Sequence, residues 1–344
     1  MSESVGFPVS LLSLLRCTGD GGELAPPDGY GPNGIIHDGV TRCLSCGATF
    51  PIVDGVLDLL ADSAPEDELS DHERQLRDTT MPMERGVPGW KPDWRDTAEF
   101  HTTLARLGDI SGKTLLELGC GPGLYTHQLA QKVSAMIALD FSWKALRRNK
   151  ANLPSSIPPG RVGYVRADVS TIKLCPRAFD VALTTLYSNL PTKEIRLACN
   201  SAVHEGLKPG GLYLVSTHHQ DMRKRLRKYP VSGRYTEGGI YYINFTRKTL
   251  AQELTAFSQV TFCPAVVELP LVLRMPSFKF KEFMARATVG LPGFNEYGTI
   301  LLAQATKSRA SDVATDTGRR SAAVGAATAT AATALLPLLD TLPM

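Results

Sequence analysis

Between residues 95 and 306 the apolar positions fall into short continuous runs, separated by stretches with helical spacing. Leu115, Leu116 and Leu118 form one run, Ser134 to Leu139 a second, Val162 to Ala167 a third and Phe179 to Leu186 a fourth. Leu212 to Ser216 is a fifth, and Val260 to Phe262 and Thr299 to Ala305 close the series. Short apolar runs of this kind predict strands. The stretches between them predict helices, one on Leu124, His127, Gln128, Leu129 and Val133 and another from Trp143 to Lys150. Ahead of the first strand, Asp96 to Leu107 carries Phe100, Leu104 and Leu107 on one side, which predicts a further helix. Gly238 to Leu250 reads as strand, cap and helix. Strand and helix in alternation predict the α/β class.

The first strand leads into Gly119, Gly121 and Gly123. Glycines suit such a turn because they adopt positive φ and let a ligand approach the backbone. A dinucleotide site wants G-x-G-x-x-G. Gly119 and Gly121 fit that frame, but its third position is Leu124. The spacing is instead E-x-G-x-G-x-G, from Glu117 to Gly123.

This pattern resembles motif I of the class I S-adenosyl-L-methionine (SAM) methyltransferases. The resemblance covers roughly residues 95–306 and repeats in order, through Asp140, Asp168 and Lys208-Pro209-Gly210-Gly211. It implies a Rossmann-like seven-stranded sheet with helices on both faces and an antiparallel last strand. It implies SAM as cofactor, held by Glu117, Gly119, Gly121 and Gly123. Asp140 would accept the ribose hydroxyls, Asp168 the adenine amine, and Val169 would lie against the ring. A helix cap is the plainer reading of Asp168. Thr185 to Asn189 would border the sulfonium and the acceptor. The Asn/Asp-Pro-Pro-Tyr/Phe signature of enzymes that methylate DNA-base or glutamine amino groups is absent, and Tyr187-Ser188-Asn189-Leu190 stands in its place.

Composition changes this picture little. With 43% hydrophobic and 21% charged residues, the 344-residue chain suits a large domain plus a small one. A net charge of +3 demands no nucleic-acid partner. No apolar run approaches the roughly 20 residues of a membrane span. The apolar patch Val9 to Leu15 has no basic residue ahead of it, which argues against a secretory signal. Seven scattered cysteines point to a reduced, cytoplasmic setting.

Residues 1–60 form a separate module by pattern. Cys43-Leu44-Ser45-Cys46-Gly47 is a C-x-x-C knuckle 26 residues after Cys17, and the apolar run Phe50 to Leu60 follows it. This resembles the small Trm112-like zinc ribbon found ahead of methyltransferase domains. In that pattern the first knuckle is also C-x-x-C, whereas here it reads Cys17-Thr18-Gly19-Asp20. Zinc wants four ligands and accepts carboxylate or imidazole in place of thiolate. Asp20 stands at the missing position, and His37 is a less well placed substitute. Two readings stand: zinc on Cys17, Asp20, Cys43 and Cys46, or a ribbon that keeps only its hairpins. Residues 21–34 hold five glycines and three prolines and read as loop. So small a module is expected to pack against the larger domain.

The connector 61–94 opens acidic, as a solvated linker or surface helix. Its Trp90 and Trp94 either cover the cofactor or pack at the junction. In the substrate-facing half, His218 and His219 follow the fifth strand, and one of them is the candidate base for an oxygen or carbon acceptor. Solvent-exposed imidazoles are the alternative. Arg223 to Lys228 packs five cations into six residues, either a solvated face or a site for phosphate, carboxylate or RNA. The apolar and basic insertion 264–296, with Phe278, Phe280 and Phe283, either shapes the acceptor pocket or packs on the sheet. Residues 307–344, rich in Ala, Thr and Ser, read as a disordered tail. The expected activity is methyl transfer from SAM to a small molecule, ahead of an RNA-base methyltransferase, a non-catalytic scaffold or a dehydrogenase.

Overall fold

In the computed structural model the described residues are 5–60 except 32, 68–79, and 89–309 except 186, 237–238, 269–272, 290, 292 and 295. The expected tail therefore lies almost wholly outside the described residues. Residues 1–307 form one compact unit.

The apolar runs are strands of one sheet. They are Thr114–Leu118 (β5), Ala135–Asp140 (β6), Val162–Arg166 (β7), Phe179–Thr184 (β8), Leu207–His218 (β9), Gln259–Pro264 (β10) and Ile300–Thr306 (β11). Before them come Leu24–Ala25 (β1), Gly39–Cys43 (β2), Thr49–Val53 (β3) and Val56–Asp58 (β4). The spatial order is β10-β11-β9-β8-β5-β6-β7-β4-β3-β2-β1. The first seven in that order are the expected Rossmann-like sheet, with β11 antiparallel to both its neighbours. The chain reverses direction across the sheet between β5 and β8, the switch point at which such folds bind ligands.

The N-terminal module prolongs this sheet. β4 pairs in parallel with β7, matching Tyr164 to Val56 and Arg166 to Asp58, and β3 and β4 form a hairpin. Phe7, Leu11, Leu12 and Leu15 are buried in the same core as Leu116, Ile137 and Val165. The module thus covers the edge of β7, whose backbone groups would otherwise be unpaired.

Helices fill both faces. They are Glu68–Thr79 (α1), Trp94–Leu107 (α2), Thr126–Leu129 (α3), Trp143–Ala151 (α4), Lys193–Gly206 (α5), Met222–Leu226 (α6), Arg247–Glu253 (α7) and Phe278–Ala287 (α8). A capping box starts α2, with Asp93 accepting from Asp96 N–H and Asp96 answering to Asp93 N–H. Thr246 starts α7 in the same way. The helix expected after the glycine turn is a single turn, α3, because the chain spends residues 119–125 winding past the cofactor loop. The acidic connector forms α1, and Trp94 packs in the core rather than over a cavity. α8, inside the 264–296 insertion, lies on α2 and not on the sheet. Among the described residues no helix is long and apolar enough to cross a membrane.

Candidate functional site

A cavity opens at the carboxyl ends of β5, β6 and β8, floored by Leu118 to Pro122, Leu139 to Ser142 and Thr184-Thr185. Asp168 and Val169 border it beyond β7, and Asn189 and Leu190 beyond β8. Gly119 and Gly121 adopt φ of +70° and +53°, which side chains avoid. A Cβ built at Gly121 would meet nothing within 4 Å, so it would project into the space a ligand needs.

Asp140 sits at the end of β6 with one carboxylate oxygen accepting Gly121 N–H at 2.9 Å and the other accepting Ser142 N–H at 2.9 Å. Burial raises its pKa, and those two N–H groups pull it back toward the ionised form. Asp168 accepts the backbone N–H and hydroxyl of Ser170 through Oδ1, so it caps a turn as well as facing the cavity.

Glu117 and Gly123 take other places. Glu117 is buried beneath the loop, where its carboxyl accepts the Thr126 hydroxyl at 2.7 Å. Burial lifts it to about 8, with Asp140 adding repulsion and Thr126 opposing. Gly123 has φ of +109°, and a Cβ there would lie 2.7 Å from Asn149 Oδ1. Asn149 donates to Thr126 Oγ1 at 2.8 Å and to Gly121 O at 3.2 Å, and accepts from Tyr164 OH at 3.2 Å. These two predicted residues support the loop from below.

The histidines separate. His219 is 1% exposed, bonds Gly298 O through Nδ1 at 2.7 Å, and has its pKa lowered by burial. His218 is half-buried. Its Nδ1 lies 3.0 Å from Ser188 Oγ and its Nε2 3.0 Å from Tyr235 OH. Burial pushes the Tyr235 phenol up to about 12, so it stays neutral.

Several cavity residues escaped the sequence reading. Glu73 and Arg77 reach in from α1, and Glu99 from α2. Glu73 accepts from Arg234 at 2.9 Å and from Tyr241 N–H at 3.1 Å. Asp78, next along α1, accepts the Ser142 hydroxyl. Asn149 carried a readable signal, a polar residue sharing the buried face of α4 with Ala145 and Leu146. The basic run is largely used internally. Arg223 pairs with Asp221 at 2.9 Å and Glu268 at 3.1 Å, Arg225 pairs with Glu296, and Lys224 donates to Asn244 at 2.6 Å.

A second cluster lies in the N-terminal module. The ligand atoms of Cys17, Asp20, Cys43 and Cys46 all fall within 4.8 Å of one another. Cys17 Sγ and Cys46 Sγ are 3.7 Å apart, and Cys43 Sγ lies 3.3 Å from Asp20 Oδ1. His37 is not among them.

Residues 115–211 match the family model described as a methyltransferase domain. An uncharacterized methyltransferase of Synechocystis, sll0829, is 34% identical over 121 residues, which are 35% of this chain and 54% of that protein. The 2-phytyl-1,4-naphtoquinone methyltransferase of Nostoc punctiforme is 30% identical over 122 residues, 35% of this chain and 52% of that protein. Phosphoethanolamine N-methyltransferase 1 of Arabidopsis thaliana is 31% identical over 142 residues, 39% and 28% respectively. The chain thus spans about half, or less, of these relatives. The crystal structure of a SAM-dependent methyltransferase from Mesorhizobium loti aligns with a TM-score of 0.43 and 22% identity, over 61% of this chain and 98% of that one. A methyltransferase domain on a Rossmann-like fold therefore occupies the centre of this chain.

Proposed function

We propose that this protein transfers a methyl group from SAM to a small-molecule acceptor, on oxygen or carbon. The observation that carries this reading is Asp140, a carboxylate clamped by two N–H groups at the end of β6 beside an open glycine loop. Its remaining lone pairs suit a pair of ribose hydroxyls. Asp168 offers an acceptor to the adenine amine, with Val169 against the ring. Thr185 borders the reacting end. When bound, SAM supplies an electrophilic methyl on sulfonium. The protein's part is to align the acceptor with it and to exclude water. His218 takes the acceptor's proton at Nε2 once the Tyr235 hydroxyl yields that position, and Ser188 holds the ring through Nδ1. His219 serves the fold through Gly298.

The quinone and phosphoethanolamine enzymes among the relatives support a small acceptor. The internal pairing of the basic run removes the main support for RNA.

We further propose that Cys17, Asp20, Cys43 and Cys46 hold zinc. A tetrahedron with Zn–S bonds of about 2.3 Å has sulfur atoms about 3.8 Å apart. The separation of Cys17 and Cys46 matches that edge. Such an ion would fasten the 21–34 loop to the β2–β3 hairpin.

Calorimetric titration with S-adenosylhomocysteine tests the cofactor reading. The expected result is micromolar binding that Asp140→Ala weakens about 30-fold or more, the scale of two hydrogen bonds to a charged group. No binding to the wild type, or equal binding to the variant, overturns it.

A further inference from the structure

The 264–296 insertion presents a face that the cofactor site does not use. α8 reads Phe-Lys-Phe-Lys-Glu-Phe-Met-Ala-Arg-Ala. It packs on α2 through Ala285, which is 1% exposed. At 3.6 residues per turn, Phe280, Phe283 and Ala287 fall on the opposite stripe, and Lys279 and Arg286 flank it. Phe283 is 65% exposed, Phe278 and Phe280 41% each. Met275 and Leu291, just outside the helix, are exposed as well. A contiguous group of large exposed apolar side chains marks an interaction surface. The charge around it has one sign. Arg274, Lys279, Lys281 and Arg286 stand against Glu282, the single acid of the helix, which Arg286 already engages at 3.3 Å.

We infer that α8 is an interfacial helix that lies on an anionic phospholipid surface, with Phe280 and Phe283 inserted among the headgroups and Lys279, Lys281 and Arg286 against the phosphates. Phenylalanine on one face with cations beside it is the composition of such helices. The face is one convex helix rather than a groove, which suits a plane of headgroups better than an acidic peptide. A second copy of the chain would set like charges against each other. The chain's own residues beyond Arg309 offer three scattered aspartates and two arginines, with no acidic run to complement α8. The inference stands apart from the methyl-transfer reading, since no cofactor residue takes part.

Flotation of the purified full-length chain with vesicles tests it. The protein should float with phosphatidylcholine vesicles containing phosphatidylglycerol, and not with phosphatidylcholine alone. Raised salt should release it. Phe283→Ser, and Lys279→Glu combined with Lys281→Glu, should each weaken binding about tenfold or more, given roughly 1 kcal/mol per basic residue at such a surface. Leu44→Ser, at another exposed apolar position, should bind as the wild type does. Melting followed by circular dichroism checks that each variant is folded. Absence of binding overturns the inference. So does binding that the α8 variants leave unchanged, or that truncation after Arg309 abolishes. A wild-type dimer in sedimentation velocity that Phe283→Ser dissolves assigns the face to a second copy and also overturns it.

Discussion

Arg166 and Asp58 form an ion pair at 3.1 Å, between strands that lie 108 residues apart in sequence and adjacent in the sheet. Asp58 is 4% exposed. The same guanidinium donates to Phe141 O at 3.2 Å and lies 5.3 Å from the Trp143 ring centroid. Phe141 borders the cofactor cavity. The N-terminal module and the cavity wall are therefore held by one side chain. Removing one partner of a buried pair leaves the other charge stranded, at a cost of about 3–5 kcal/mol. Asp58→Ala should lower unfolding stability toward the lower end of that range, because Arg166 keeps its other two contacts. Urea titration reads the change. A loss below about 1 kcal/mol would mean that water already screens the pair.

The zinc proposal makes a matched pair of predictions. Metal analysis of protein purified without chelator should find one zinc per chain, and Cys43→Ser should lose it. Asp20→Cys should hold zinc more tightly, since it restores the thiolate that the first knuckle lacks. Competition with a chromophoric chelator ranks the three proteins. If the wild type binds no zinc even after reconstitution, the module stands on its hairpins and the core it shares with β7.

How much of this was legible in the sequence depended on the range of the interaction. The strands of the central sheet were readable because their signal is local, and the observed bounds differ from the expected ones by only a few residues. Asp140 and Asp168 were readable because their positions are fixed relative to strand ends. The connector misled because burial of Glu73 depends on Arg234 and Tyr241, more than 160 residues away. A run of acids looks solvated until the partner that covers it is known. The basic run misled for the same reason, its counterions being Glu268 and Glu296 on a distant insertion. Continuity of the N-terminal strands with the main sheet left no local trace either, since a parallel edge pairing is invisible to periodicity.

The two histidines should respond differently to the same change. His219→Gln disturbs a buried ring bonded to Gly298 O and should cost about 1–3 kcal/mol. His218→Gln alters a half-buried ring and should melt within a degree or two of the wild type. Burial lowers the His219 pKa, so the folded protein holds this ring neutral where an unfolded one has begun to charge. Its contribution is present above the unfolded value of about 6.5 and is lost as pH falls below it. Imidazole titration by NMR should show one resonance that titrates later than the rest on acidification, and that resonance should vanish in His219→Gln. Loss of the ordinary resonance instead would exchange the two roles.

Glu117 sets a pH dependence of the opposite sense. Burial lifts its carboxyl from the ordinary 4.5 to about 8. Between those values the unfolded chain has released this proton and the folded chain has kept it. The folded state then binds more protons, so stability falls as pH rises through the window and the loss is complete above about 8. A displacement of this size is worth on the order of a few kcal/mol, at about 1.4 kcal/mol per unit. Glu117→Gln keeps the volume and an acceptor for the Thr126 hydroxyl but carries no titrating proton. The variant should melt close to the wild type at pH 5 and above it at pH 9, with the gap widening steadily between. Thermal melts of both proteins across that range decide the matter. Parallel curves would mean that Glu117 is already ionised at neutrality, held by a group other than Thr126, and the polar network beneath Gly121 would then carry a full negative charge under the cofactor loop.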